Sequence, residues 1–124
     1  MSGWRSREIH SFRCAIAGIY AALRGERHMQ FHFAAAIAVV AAGFWLQVGR
    51  EDWLWLSAAI AVVWVAELFN TAIERVVDMA SPGMHPLAKA AKDTAAGAVL
   101  VTSLFAVIVG VIVLGPPLWD TFRK

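Results

Sequence analysis

The chain has 124 residues, of which 60% are apolar and only 16% charged. That apolar excess is larger than a soluble core of this size can bury, which excludes a soluble monomer. The formal net charge of +2 is too small to point to nucleic acid, and the single cysteine, Cys14, excludes an intrachain disulfide and any cysteine-based zinc centre.

One domain, covering residues 1–124, is expected at this length; no Gly-rich phosphate loop, internal repeat or low-complexity linker interrupts it. Arg5, Arg7 and Arg13 before an apolar stretch mimic a cleaved leader, but only ten residues separate Arg13 from Arg24, too few to span a bilayer. Ile9, Phe12, Ile16, Ile19 and Leu23 recur at helical spacing instead, predicting an amphipathic helix on the membrane surface over about 4–25. Residues 31–48 hold no Asp, Glu, Lys or Arg and predict a first span. The turn Gly49-Arg50-Glu51-Asp52 ends it. A second span begins at Trp53 but is free of charge for only 14 residues, too few to cross about 30 Å of hydrocarbon. It must therefore continue through Glu67 and Asn70 to about Val77, and Ser81-Pro82-Gly83 breaks it. From residue 94 to residue 118, 25 positions pass without a formal charge. They predict a third span over about 94–115, helical as far as Gly115-Pro116-Pro117. Trp45, Trp53, Trp55 and Trp119 fall near span ends, where amphipathic rings favour the headgroup layer. The fold class is an all-α integral membrane protein, three transmembrane helices preceded by a surface helix.

Eight of the eleven Lys and Arg residues precede the first span or fall between the last turn of the second, at Arg75, and the start of the third; Arg50, Arg123 and Lys124 fall on the other side. The positive-inside rule puts the N-terminus and the Pro-Gly loop in the cytoplasm of a multi-pass protein of the cytoplasmic (inner) membrane. Chemistry that needs ATP would sit at that surface.

The second span carries the sequence's most informative pattern. Glu67, Asn70, Glu74 and Asp78 stand at offsets of three, seven and eleven residues, within an arc of about 80° on one helix face. Asp78 alone is explained as the solvated end of a helix leaving the membrane. Glu67 and Asn70, flanked by Leu68 and Phe69, are not, because a carboxylate within a span costs roughly 2.5–3.5 kcal/mol on insertion scales and marks a site. Carboxylate and amide oxygens suit magnesium, which takes one or two protein carboxylates and fills its shell with phosphate and water. Glu26, Lys92 and Asp93 lie on the same side of the membrane and complete a set suited to phosphoryl transfer. A proton pathway would use similar residues.

The segment Glu67-Leu68-Phe69-Asn70-Thr71-Ala72-Ile73-Glu74-Arg75-Val76-Val77-Asp78 resembles the signature of the small prokaryotic diacylglycerol kinase family, which includes undecaprenol kinases. The likeness resumes at His85-Pro86-Leu87-Ala88-Lys89-Ala90-Ala91-Lys92-Asp93 and extends from about Phe12 to Leu114. The resemblance implies a homotrimeric membrane kinase with active sites shared between subunits, using ATP and Mg2+ to phosphorylate a membrane lipid alcohol. It implies Glu67 as general base, Asn70 as the residue that orients Glu67 or the metal-bound phosphate, and Glu26 and Glu74 as the metal-binding pair. Lys92 and Asp93 match the nucleotide-site pair, Gly83, Met84 and His85 match loop positions near the nucleotide, and Arg7 matches an N-terminal contact. Cys14 stands where an aromatic residue is common and is grouped with the nucleotide contacts. Arg27 and His32 lean toward the undecaprenol branch, whereas His28 and Gln30 depart from the Asn and Arg expected there.

Plainer readings stand beside these. His85 serves equally as a solvated loop histidine, and His28 with His32 is a weak metal pair better read as interfacial. Ala95, Ala96, Gly97 and Ala98 suit close helix packing, and Trp64 suits packed or lipid-facing bulk. The expected product is undecaprenyl phosphate, with diacylglycerol as the alternative acceptor and a small proton-coupled transporter subunit as the rival from another class.

Overall fold

A computed structural model of the chain describes residues 2–124, and they form four α-helices: α1 (Ser2–Gly25), α2 (Arg27–Trp45), α3 (Arg50–Ala80) and α4 (Pro86–Arg123). The last three are each long and apolar enough to cross a membrane. At 1.5 Å per residue α2 spans about 28 Å, α3 about 46 Å and α4 about 57 Å, against a hydrocarbon layer of about 30 Å. α3 and α4 therefore overshoot the hydrocarbon, and the charged stretches lie at their ends.

α1 and α2 are separated by a single non-helical residue. Glu26 is extended (φ −113°, ψ 120°) between them, yet its N–H still donates to Ala22 O at 2.9 Å and its carbonyl accepts from Gln30 N–H at 3.1 Å. The Gln30 amide donates to Arg24 O at 3.2 Å, satisfying a carbonyl that the bend would leave bare. Ala22 and Met29, 2% and 0% exposed, anchor this joint. Residues 3–21 of α1 are exposed throughout, so within one chain the helix meets the bundle only at its C-terminal turn.

α2 turns into α3 through a Schellman arrangement: Val48 N–H donates to Gly43 O at 3.2 Å and Gln47 N–H to Phe44 O at 3.3 Å. Gln47 takes the left-handed conformation there, φ 53°, a position that glycine usually fills. Asp52 Oδ2 accepts from Gly49 N–H at 3.2 Å, and Glu51 and Asp52 occupy the first turn of α3, where the helix dipole favours negative charge. α3 and α4 pack as an antiparallel pair, with Leu56, Ala59, Val109 and Val113 forming the buried cluster at the end remote from their loop. α2 lies antiparallel along α3. Gly43 meets Trp53 at one end, the Phe33 and Trp64 rings stand 5.8 Å apart, and Glu26 faces Arg75 at the other end.

Three boundaries differ from the sequence expectation. α2 starts at Arg27 and ends at Trp45, earlier at both ends than 31–48, because Glu26 and Gln47 carry the breaks. α3 extends past the expected 53–77 at both ends. α4 does not stop at Gly115-Pro116-Pro117 but continues to Arg123. Proline's fixed φ near −65° is compatible with a helix, and α4 continues although each ring removes an N–H donor and crowds the carbonyl four residues earlier. Thr121 Oγ1 donates to Pro117 O at 2.9 Å in the next turn.

Candidate active site

The polar stripe of α3 is the candidate site, and it changes character along its length. Glu67 is 3% exposed, Asn70 8%, Glu74 half-buried and Asp78 exposed. One helix face thus carries oxygen ligands from the packed interior to the water-filled end. Asn70 Nδ2 lies 3.4 Å from Glu74 Oε1, one turn on, a weak hydrogen bond that the i, i+4 spacing allows. Asn70 Oδ1 is buried and has no partner. That leaves one buried acceptor free to take a donor or a hard cation.

α2 supplies the other wall. His32 Nε2 stands 3.7 Å from Glu67 Oε2, with the His32 side chain only 14% exposed. That separation is beyond a hydrogen bond but within reach of an ion pair when the imidazole is protonated. Glu26 Oε1 lies 4.0 Å from Arg75 Nη2, which brings the α1–α2 joint beside the turn of α3 that carries Glu74.

The third element is the loop from Ser81 to His85 and the first turns of α4. Asp78, Gly83, Met84, His85, Lys89 and Lys92 line an open cleft of about 570 Å³ there. Lys92 bridges back to Asp78, and that hydrogen bond, with the negative charges of Asp78 and Glu74, holds its ammonium above the ordinary lysine pKa against an opposing effect of desolvation. Lys92 precedes the charge-free stretch of α4, so it titrates in water. Asp93 pairs with Lys89, one turn before it. His85 caps α4: its Nδ1 accepts from Leu87 N–H at 3.1 Å, and Pro86 follows at the first helical position, where a missing N–H costs nothing.

The structure therefore gathers Glu67, Asn70 and Glu74 along one line, ending at Asp78 and Lys92. It puts Glu26 beside that line and Gly83, Met84 and His85 around the exposed cleft. Lys92 and Asp93 are not partners of each other. Arg7 and Cys14 stay apart from the site of their own chain: Arg7 Nε donates to Gly3 O at 3.1 Å, and Cys14 Sγ lies 3.6 Å from His10 Nε2, both on the exposed length of α1. Among the described residues no three His, Cys, Asp or Glu side chains form a closed metal cage. Two participants escaped the sequence pattern, His32 as the partner of Glu67 and Asp78 as the partner of Lys92. The signal for His32 is the need of a buried carboxylate for a cationic neighbour, and after Arg27 and His28 no other residue of α2 can carry a positive charge.

The profile of prokaryotic diacylglycerol kinases matches residues 13–114. The chain is 43% identical over 113 residues to an undecaprenol kinase of Bacillus subtilis, covering 91% of this chain and 92% of that protein. It is 42% identical over 109 residues to a diacylglycerol kinase of Synechocystis, covering 87% of this chain and 62% of that protein. With a diacylglycerol kinase of Escherichia coli it shares 33% over 105 residues, 85% and 83% of the two chains.

Proposed function

The chain belongs to the prokaryotic diacylglycerol kinase family and is a lipid kinase, and we propose that it transfers the terminal phosphate of ATP to undecaprenol, giving undecaprenyl phosphate. The kinase chemistry rests on one observation, the stripe that runs from the buried Glu67 to the exposed Asp78 and Lys92. A greasy acceptor can reach its inner end and a charged nucleotide its outer end. The choice of acceptor is supported by the near full-length likeness to the Bacillus subtilis enzyme and by Arg27 and His32.

Glu67 is the general base. Its carboxylate takes the proton from the lipid hydroxyl as that oxygen bonds to the γ-phosphorus and the bond from phosphorus to the β–γ bridging oxygen breaks, releasing ADP. Asn70 orients the acidic line. Glu74, Glu26 and the free Asn70 Oδ1 would hold Mg2+, which when bound would offset phosphate charge. Lys92 neutralises the phosphates from the α4 side, in the cleft formed with Gly83, Met84 and His85, and Asp93 keeps Lys89 in place beside it. The N-terminus and this cleft face the cytoplasm of the inner membrane.

The working unit is a homotrimer with shared sites. Arg7 lies fifteen residues before Ala22, so along a straight helix it stands about 22 Å from the point where α1 joins its own bundle. Arg7 and Cys14 therefore serve the nucleotide of a neighbouring subunit. The exposed Ile9, Phe12 and Ile16 lay α1 on the membrane surface.

Purified protein in lipid vesicles, given γ-labelled ATP and a panel of undecaprenol, diacylglycerol and ceramide, tests this reading. Undecaprenol is expected to be the preferred acceptor. Label on diacylglycerol alone would overturn the acceptor, and label on none of the three would overturn the kinase mechanism drawn from Glu67.

A further inference from the structure

We infer that His32 is a positioning residue for Glu67, donating from Nε2 to Oε2 so that the other carboxylate oxygen faces the acceptor hydroxyl. The inference rests on the reading of Glu67 as general base and adds a second residue, on a different helix, on which its action depends.

Glu67 is 3% exposed, and among the described residues His32 is the one group able to carry a positive charge that stands against it. A buried carboxylate without a partner is costly, and a partner that grips one oxygen also fixes the rotamer. The 3.7 Å separation is longer than a formed hydrogen bond, and catalytic contacts of this kind commonly tighten only when substrate is bound. His32 also borders the space beside Glu67. It lines an apolar cavity between α2, α3 and α4, walled by Ala35, Ala36, Ala59 and Gly110. Only His32 and Trp64 bring side-chain polar atoms to that cavity, and Trp64 Nε1 has no partner. Of those two, His32 is the one in contact with Glu67. The Phe31 ring meets the imidazole edge-on, with centroids 5.6 Å apart, and restrains its tilt.

The test compares His32→Gln with His32→Asn in vesicles, because the Gln amide nitrogen takes the place of Nε2 and the shorter Asn amide takes that of Nδ1. His32→Gln is expected to keep most of the parental kcat. His32→Asn and His32→Leu are expected to lose kcat on the order of 10- to 100-fold, with KM for ATP and for the lipid unchanged. In a Glu67→Gln background His32→Leu should produce no further loss. Equal kcat in the Gln and Asn variants would overturn the proposal even if the Leu variant fails to fold. So would a rise confined to the lipid KM, which would make His32 an acceptor contact. A Glu67→Gln protein as active as the parent would instead sink the general-base reading itself. An inactive Glu67→Gln beside a fully active His32→Asn would sink only the role of His32.

Discussion

Gly43→Ala tests the packing that sets α2 against α3, and its effect follows from distances alone. A methyl group on Gly43 would fall 2.6 Å from Trp53 Cη2, 3.0 Å from Cζ2 and 3.2 Å from Cζ3. Carbon atoms settle at about 3.5–4.0 Å, so either the indole or the whole helix must withdraw by about 1 Å. The indole has little freedom, because Trp53 packs against the buried Leu56–Val113 cluster and its ring lies 4.8 Å from that of Phe44. Overpacking of this kind costs about 1–3 kcal/mol. At about 1.4 kcal/mol per factor of ten, that is roughly a 5- to 150-fold shift toward the unfolded state.

The same displacement has a catalytic consequence. Gly43 and His32 are eleven residues apart on α2, about 16 Å along a rigid helix, so pushing α2 outward at Trp53 disturbs the approach of His32 to Glu67. Thermal unfolding in detergent micelles, read together with kcat on the lipid acceptor, should show both losses. Trp53→Leu removes the obstructing ring, and Gly43→Ala should then cost little in that background. A Gly43→Ala protein as stable as the parent, or one equally damaged with and without Trp53, would refute the reasoning.

Glu67→Gln keeps the side chain's shape and removes the base, so turnover should fall on the order of 10²- to 10⁴-fold while ATP binding and oligomeric state persist, as titration and sedimentation would report. Glu74→Ala should raise the Mg2+ concentration needed for half-maximal activity, and an unchanged magnesium titration would remove Glu74 from the metal site. Gln47→Gly should raise stability by about 1 kcal/mol, because Gln47 pays the steric cost of a left-handed backbone that glycine avoids. A lower melting temperature would show that the Gln47 side chain contributes more than its backbone costs.

Much of the architecture is written in the sequence because membrane insertion leaves a one-dimensional trace. Three apolar stretches, Ser81-Pro82-Gly83 as a break, and the Glu67–Asn70–Glu74–Asp78 face all follow from periodicity and charge, and each survives in the structure. What periodicity misses depends on one residue's backbone or on a contact between helices. Glu26 separates two helices, and the one cue beside it, Gly25, is itself still helical. Gln47 takes a conformation its side chain disfavours because the Schellman bonds of Val48 and of Gln47 itself hold it there. Pro116 and Pro117, the loudest breakers in the chain, break nothing, since α4 already packs through Val109 and Val113 one to two turns earlier. The two pairings His32–Glu67 and Asp78–Lys92 require knowing which helix lies beside α3, and no spacing on a single helix contains that.

Joining a hydrocarbon alcohol to a nucleotide poses a geometric problem, since one reactant dissolves where the other cannot go. α3 meets it by being longer than the membrane is thick. At about 46 Å against about 30 Å, its last turns stand clear of the hydrocarbon without leaving the helix. Glu67 and Asp78 are eleven residues apart on one face, about 16 Å, so a single rigid rod links the proposed general base to the nucleotide cleft. No loop entropy intervenes between them, and α2 and α4 need contribute only one side chain each, His32 at the inner end and Lys92 at the outer. Shortening the rod would bury the phosphates' partners, and rotating it by one residue, about 100°, would turn Glu67 away from His32 and Asp78 away from Lys92 together. The fixed register of α3 against its two neighbours is therefore the physical requirement of the proposed phosphoryl transfer.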